Sequence, residues 1–80
     1  MNRQEITALI IKNLYEIVPE LEGRELRPED RLSDLGLNSI DRADLISMVM
    51  EDLSLLQNQR SQFIGMSSIG ELADGFLVKL

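Results

Sequence analysis

The sequence predicts an all-α fold, a four-helix bundle with a long first loop and a short third helix. In three stretches, apolar residues recur at steps of three and four, which is the spacing of one face of an α-helix. Between the first two stretches lie two prolines, two glycines and many charged residues without such a stripe. Eighty residues suffice for one hydrophobic core and not for two, so residues 1–80 are predicted to form a single domain.

The first helix is predicted from about Arg3 to Ile17. Asn2 followed three residues later by Glu5 is typical of a capped helix start, and Pro19 disfavours the helical conformation in the residue before it. The apolar positions between these limits share one face, and we expect that face to be buried. Its residues are Ile6, Leu9, Ile10, Leu14 and Ile17.

The segment from Pro19 to Asn38 is predicted to be a long ordered loop. One short turn is expected around Glu29 to Leu32. The leucines of this segment are spaced as separate anchors to the core: Leu21, Leu26, Leu32, Leu35 and Leu37. A flexible linker would not need five leucines, and a loop of this length inside a small domain is usually functional.

The second helix is predicted from Ser39 to about Leu53. Asn38 is a favoured N-cap residue, and Asp41 three residues later is the acidic member of a capping box. Ser39 then occupies the first helical position, where the backbone does not need its hydroxyl. A helix N-terminus also favours a phosphate, because unpaired N–H groups and the helix dipole point at it. The competing interpretation is that Ser39 is a second capping residue.

The two sides of the second helix differ in polarity. The core side is predicted to hold Ala43, Leu45, Ile46, Val49, Met50 and Leu53. The outer side mixes acidic and apolar groups, which predicts a surface that meets a basic groove on another protein. The residues assigned to this partner surface are Asn38, Ile40, Asp41, Arg42, Asp44, Met48 and Glu51. Arg42 is expected to govern the choice of partner, and a solvated charged face is the alternative.

The last third of the chain is predicted to hold two helices. A short third helix is expected from about Gln59 to Ile64, with Gly65 as its C-cap. Ser68 followed three residues later by Glu71 is a capping box that opens the final helix. The apolar residues of the final helix recur at helical spacing: Ile69, Leu72, Ala73, Phe76, Leu77 and Leu80.

Two glycines weaken the final helix. Gly70 and Gly75 each cost about 1 kcal/mol relative to alanine in a helix interior. Packing against the rest of the protein, and not intrinsic helix propensity, is therefore expected to hold this helix in place.

Composition narrows the possible functions. A net charge of −6 and a pI near 4.4 argue against nucleic acid or an anionic membrane as a partner. The chain has no cysteine and no histidine, so it offers no conventional metal site and lacks the commonest nucleophile and base pairs. We therefore expect no catalysis by the protein itself. With no signal-peptide profile and no membrane-length apolar run, a cytoplasmic location is expected.

The segment Leu35-Gly36-Leu37-Asn38-Ser39-Ile40-Asp41 resembles the acyl carrier protein family. The hallmark of that family is Leu-Gly-x-Asp-Ser followed by Leu or Ile at the start of the second helix. The resemblance implies that Ser39 carries 4′-phosphopantetheine, on which an acyl group is held as a thioester. The family usually has Asp at the position of Asn38, so this chain keeps the cap chemistry and lacks one negative charge.

A finer resemblance extends over Asn38-Ser39-Ile40-Asp41-Arg42-Ala43-Asp44. This run is similar to small free-standing carriers of polyketide assembly lines, which deliver acetyl to a hydroxymethylglutaryl-CoA-synthase-like enzyme that installs β-branches. The partners implied are a phosphopantetheinyl transferase, an acyltransferase, a ketosynthase and such a synthase, acting on a monomeric carrier of malonyl- or acetyl-type groups. The alternatives are a fatty-acid carrier, a peptidyl carrier, or an acidic helical adaptor that carries no prosthetic group.

Overall fold

Three α-helices and one six-residue 3₁₀ helix pack around a common core, and two three-residue 3₁₀ turns, Pro19–Leu21 and Ser33–Leu35, lie in the first loop. The structure is a computed structural model that describes residues 1–80. The α-helices are α1 (Arg3–Ile17), α2 (Ser39–Asp52) and α3 (Ile69–Val78), and the 3₁₀ helix Gln57–Gln62 lies between α2 and α3 in the chain. These four helices, with no β-strand, confirm the predicted all-α architecture. None of the helices is both long enough and apolar enough to span a membrane.

Local sequence signals set the limits of α1. The Asn2 side chain accepts a hydrogen bond from the Glu5 N–H at 2.8 Å, and the Glu5 carboxylate accepts one from the Asn2 N–H at 3.1 Å. This reciprocal pair satisfies two donors that the first turn leaves free. The helix then ends at Ile17, before Pro19, so both predicted limits are confirmed.

The end of α2 is a Schellman motif built without glycine. The Leu55 N–H donates to the Met50 carbonyl at 2.8 Å, and the Ser54 N–H donates to the Glu51 carbonyl at 3.1 Å. This closure requires Ser54 to adopt a left-handed conformation, with φ of 58°. Helix α2 therefore ends one residue earlier than predicted, with Leu53 as its C-cap.

The third helix differs from the prediction in type and in limits. It is a 3₁₀ helix that starts two residues before Gln59 and ends two residues before Ile64. Gly65 is not its C-cap, because its φ is not positive and Phe63 follows the last helical residue. The helix buries none of its own residues, so it lacks the apolar face of an amphipathic α-helix. It is a short, tightly wound segment, and the buried Phe63 anchors its C-terminal end to the core.

One hydrophobic core of seventeen buried residues joins the three α-helices and the first loop, and Phe63 connects the end of the 3₁₀ helix to it. Helix α1 packs against both α2 and α3, and the rings of Phe63 and Phe76 meet with their centroids 4.5 Å apart. The stripe that α2 buries completely is Leu45, Ile46, Val49 and Met50, whereas Ala43 and Leu53 are half-buried. The loop leucines are buried as predicted: Leu21, Leu26, Leu32, Leu35 and Leu37.

The first loop pairs with the start of α3. The Ile69 N–H donates to the Asp30 carbonyl at 3.1 Å, and the Gly70 N–H donates to the Pro28 carbonyl at 2.7 Å. The Leu32 N–H donates to a backbone carbonyl just before α3, at 2.9 Å. This pairing holds Arg31 in a bridge with the segment before α3, after a hydrogen-bonded turn in which the Asp30 N–H donates to the Arg27 carbonyl. Leu32 already has helical dihedral angles, so the 3₁₀ turn forms at Ser33–Leu35, directly after the predicted position.

Candidate functional site

The loop that leads into α2 is fixed on both sides of a single glycine. Gly36 has a φ of 91°, a conformation that glycine adopts without steric cost, and its N–H donates to the Ser33 carbonyl at 3.2 Å. The flanking residues Leu35 and Leu37 are both buried in the core. The chain therefore enters α2 from a defined position, with Asn38 as the last residue before the helix.

The predicted capping box at the head of α2 is confirmed. The Asn38 Oδ1 atom accepts from the Asp41 N–H at 2.8 Å, and the Asp41 Oδ2 atom accepts from the Asn38 N–H at 3.3 Å. Asn38 thus performs the capping role of the aspartate that acyl carriers usually have at this position. The cap is complete without any contribution from Ser39.

Ser39 is the first residue of α2 and is exposed to solvent. Its hydroxyl makes no hydrogen bond within the protein, and neither do the N–H groups of Ser39 and Ile40. The head of α3 is different, because the N–H groups of Ile69 and Gly70 donate to loop carbonyls. An accessible hydroxyl next to two free N–H donors and the positive end of a helix dipole suits an attached phosphate.

The residues predicted to form a partner surface do not all share one face of α2. Ile40, Asp44 and Glu51 are exposed and follow one another at helical spacing, with the side chain of Ile40 71% exposed. Asn38 is also exposed at the helix head, whereas Asp41, Arg42 and Met48 are half-buried. Arg42 lies two residues before Asp44, and residues with that spacing do not face each other on a helix.

The structure adds a contact that sequence reasoning missed. The Arg60 Nη1 atom donates to the Ser47 Oγ atom at 2.9 Å, and the Gln57 Nε2 atom donates to the Ser47 carbonyl at 3.1 Å. Ser47 lies in the row of Ile40, Asp44 and Glu51, so the 3₁₀ helix is tied to the exposed side of α2. No local pattern predicts this contact, because its partners are 10 and 13 residues apart.

The 3₁₀ segment also exposes two large apolar side chains. Leu56, just before the 3₁₀ helix, is 67% exposed, and Ile64, just after it, is 48% exposed. The remaining apolar residue of this segment, Phe63, is buried. Single exposed apolar side chains are common on protein surfaces, so Leu56 and Ile64 do not by themselves define a contact surface.

No group of acidic side chains is arranged to hold a metal ion. The chemistry available at the head of α2 is therefore that of one hydroxyl, two backbone donors and the flanking side chains. The exposed Ser39 hydroxyl at the head of α2 is therefore sterically available for the covalent attachment of a group.

Comparison with known proteins identifies the class. The family model for the phosphopantetheine attachment site matches residues 6–76 of the chain. The polyketide biosynthesis acyl-carrier-protein AcpK of Bacillus subtilis (strain 168) is 47% identical over 74 residues, which is 92% of this chain and 89% of that protein. The chain therefore belongs to the acyl carrier protein family, whose members carry covalently attached 4′-phosphopantetheine.

A solved structure agrees with this assignment. One chain in the crystal structure of the curacin biosynthetic pathway HMG synthase in complex with acetyl donor-ACP superposes with a TM-score of 0.90. It is 46% identical in sequence, and the match covers 98% of this chain and 99% of that one. The long first loop, the capped α2 and the short third helix thus belong to a known carrier fold.

Proposed function

We propose that Ser39 is the attachment site of 4′-phosphopantetheine and that the protein carries malonyl- or acetyl-type groups for polyketide biosynthetic enzymes. The observation that carries this proposal is the exposed Ser39 hydroxyl, left without a hydrogen bond at the head of α2 because Asn38 makes the cap. The match to the phosphopantetheine attachment family spans this residue. The bound arm supplies the thiol that holds the acyl group, which the cysteine-free chain lacks.

The protein's own residues have three roles in this proposal. Asn38 and Asp41 fix the start of α2, so that Ser39 is presented at a defined point. The free N–H groups of Ser39 and Ile40 favour the negative charge of the attached phosphodiester. The buried leucines on both sides of Gly36 keep this helix head from moving relative to the core.

Within polyketide biosynthesis, we assign the chain to acetyl delivery to a hydroxymethylglutaryl-CoA-synthase-like enzyme. Two observations favour this over the fatty-acid and peptidyl alternatives: one similar protein is an acyl-carrier protein of polyketide biosynthesis, and the other is an acetyl-donor ACP in complex with an HMG synthase. The other proposed partners are a phosphopantetheinyl transferase, an acyltransferase and a ketosynthase, all of which must reach the same helix head.

The proposed partner surface is centred on the exposed row of Ile40, Asp44 and Glu51. Asn38, Asp41, Arg42 and Met48 border it. Ile40 supplies an apolar contact beside Ser39, and the carboxylates attract a basic rim on the partner. A net charge of −6 on 80 residues strengthens this attraction at long range and makes it depend on salt.

The first experiment tests the attachment site. The unmodified protein is incubated with coenzyme A and a broad-specificity phosphopantetheinyl transferase, and the intact mass is measured. We expect a gain of one phosphopantetheinyl group in the wild type and in the control variant Ser61→Ala, which alters another exposed serine. We expect no gain in Ser39→Ala. A gain that persists in Ser39→Ala defeats the assignment.

The second experiment tests the partner. The acetyl-loaded protein is given to a hydroxymethylglutaryl-CoA-synthase-like enzyme from a β-branching pathway, and acetyl transfer is followed by mass. We expect Asp44→Lys to lower kcat/KM by roughly tenfold at low salt and less at high salt, since a rim charge acts mainly on association. The matched control is Glu29→Lys, the same charge change at an exposed loop position. Equal effects of the two variants contradict the proposed surface.

The same assay separates the remaining alternatives. A peptidyl carrier would be loaded by an amino-acid-activating ligase and would not transfer acetyl to the synthase. An unmodified adaptor would bind its partner equally well as wild type and as Ser39→Ala. Transfer of acetyl only from the loaded wild-type protein excludes both.

A further inference from the structure

We infer that Arg42 is a positioning residue for the prosthetic arm, and that its guanidinium pairs with the phosphodiester attached at Ser39. This inference rests on the proposed attachment at Ser39. It assigns Arg42 a role towards the arm itself, in addition to its place at the border of the proposed partner surface. Arg42 has no ion-pair partner, it projects towards Ser39 along α2, and the surroundings of Ser39 are acidic.

Arg42 is a cation without a partner in an acidic neighbourhood. The only ion pairs are Arg3 with Asp74 and Arg27 with Glu25, and Arg42 makes no side-chain hydrogen bond. Neither of the two aspartates nearest in sequence neutralises it. The Asp41 carboxylate is engaged with the Asn38 N–H in the capping box.

Helix geometry directs Arg42 towards Ser39 and away from Asp44. At about 100° per residue, the side chains of Ser39 and Arg42 project about 60° apart around the axis of α2, whereas those of Arg42 and Asp44 project about 160° apart. Side chains three residues apart have Cβ atoms about 5–6 Å from each other, within the reach of an arginine. Helical side chains also lean towards the N-terminus, which places Arg42 over the turn that contains Ser39.

The burial of Arg42 supports a fixed position. The residue is half-buried, although Ile40 and Asp44 on the same helix are exposed. An arginine of this kind packs its aliphatic stem along the protein and leaves the guanidinium at the surface. The Arg42 side chain then loses less conformational entropy when it binds an anion.

The attached group supplies the missing anion. A phosphodiester carries one negative charge and accepting oxygens, and it would lie next to Asp41 on a protein of net charge −6. The free N–H groups of Ser39 and Ile40 offset part of that repulsion, and Arg42 is the cation closest to Ser39 in the sequence of α2. Guanidinium groups bind phosphate oxygens in a fork geometry that lysine cannot reproduce.

Asn38 fits the same arrangement. Its Oδ1 atom is occupied by the Asp41 N–H, so its amide group adds no negative charge where the phosphate attaches. An aspartate at this position would place a further carboxylate beside the phosphodiester. The uncharged cap and the free arginine one turn later together favour an anion at Ser39.

The test compares unmodified and phosphopantetheinylated protein by NMR. Four proteins are used: wild type, Arg42→Gln, Arg42→Lys and the control Arg31→Gln, which alters an exposed loop arginine. We expect the Arg42 Nε–Hε resonance of the wild type to shift when the arm is attached. We also expect the ³¹P resonance of the loaded wild type and of Arg31→Gln to coincide, that of Arg42→Gln to differ, and that of Arg42→Lys to lie between them.

Two further readouts separate this role from a structural one. The unmodified wild type and unmodified Arg42→Gln are expected to melt at the same temperature, and the ³¹P difference is expected to shrink as salt is raised. An unmoved Nε–Hε resonance together with identical ³¹P shifts in wild type and Arg42→Gln overturns the pairing while leaving Ser39 attachment intact. Absence of any mass gain on incubation with the transferase overturns both proposals.

Discussion

Replacement of the two glycines of α3 by alanine is expected to have different effects on stability, although both lie in the same helix. A Cβ atom added at Gly70 would lie 3.0 Å from the Pro28 carbonyl oxygen and 3.2 Å from the Pro28 Cβ atom. The Gly70 N–H also donates to that oxygen at 2.7 Å. The start of α3 and the loop segment at Pro28 therefore cannot move apart without losing this hydrogen bond. Crowding of this kind typically costs about 1–3 kcal/mol.

At Gly75 the obstacle is a flexible side chain. An added Cβ atom would lie 2.7 Å from the Sδ and Cε atoms of Met66, and 3.4 Å from a ring carbon of Phe63. Methionine has three rotatable bonds and readily adopts another rotamer. The gain in helix propensity from glycine to alanine, about 1 kcal/mol, then offsets most of the cost of moving Met66.

At Gly70 the same gain in helix propensity of about 1 kcal/mol offsets only part of the crowding cost of about 1–3 kcal/mol, so we expect Gly70→Ala to lower the free energy of unfolding by up to about 2 kcal/mol. We expect Gly75→Ala to change it by less than about 1 kcal/mol. For a domain of this size, 1 kcal/mol corresponds to a Tm change of about 4–8 °C. Urea unfolding followed by circular dichroism measures both variants. A Gly70→Ala variant as stable as Gly75→Ala would refute the argument from close backbone contact.

Three further substitutions test other local interactions. Ser54→Gly should raise the free energy of unfolding by about 1 kcal/mol, because glycine adopts a φ of 58° without strain. Urea unfolding measures this gain, and its absence would mean that Ser54 is not strained in the Schellman turn. Asn38→Ala should lower the free energy of unfolding by about 1 kcal/mol and reduce helical signal, whereas Asn38→Asp keeps the cap; equal losses would exclude the capping role. The buried Asn13 donates to Asp52 Oδ2 at 3.0 Å, so Asn13→Asp should cost more in thermal melts than Asn13→Leu, and the reverse order would contradict this contact.

The sequence predicted the elements whose signals are local. The capping box of Asn2 and Glu5 together with Pro19 defines α1 to the residue, and the box of Asn38 and Asp41 locates the head of α2. The burial of the loop leucines was predicted because a leucine in an otherwise polar loop is stabilised by contact with the core. In each case the deciding groups lie within a few residues of one another.

The incorrect predictions concern contacts between distant parts of the chain. The turn of the first loop forms later than expected because residues 30–32 pair with the start of α3. The third helix is 3₁₀ because tertiary contacts hold it: Arg60 binds Ser47 across 13 residues, and Phe63 inserts into the core. Neither contact has a sequence pattern of its own.

The two serines that open helices show why only one of them is available for attachment. Ser68 is itself the N-cap of α3, and its Oγ atom accepts from the Glu71 N–H at 3.1 Å. At α2, the Asn38 side chain makes the capping hydrogen bond that Ser68 makes at α3. Ser39 follows Asn38 by one residue, so its hydroxyl is not engaged in capping. This offset of one residue is readable in the sequence, because each cap is identified by the acidic residue three positions later.

The backbone donors at the two helix heads differ for a reason that the sequence does not show. The carbonyls of Pro28 and Asp30 bind the first two N–H groups of α3, and the loop segment that carries them is held there by buried leucines. The equivalent N–H groups of α2 meet no such segment. The loop therefore closes one helix head and leaves the other open, and a phosphate attached through serine is favoured at the open head only.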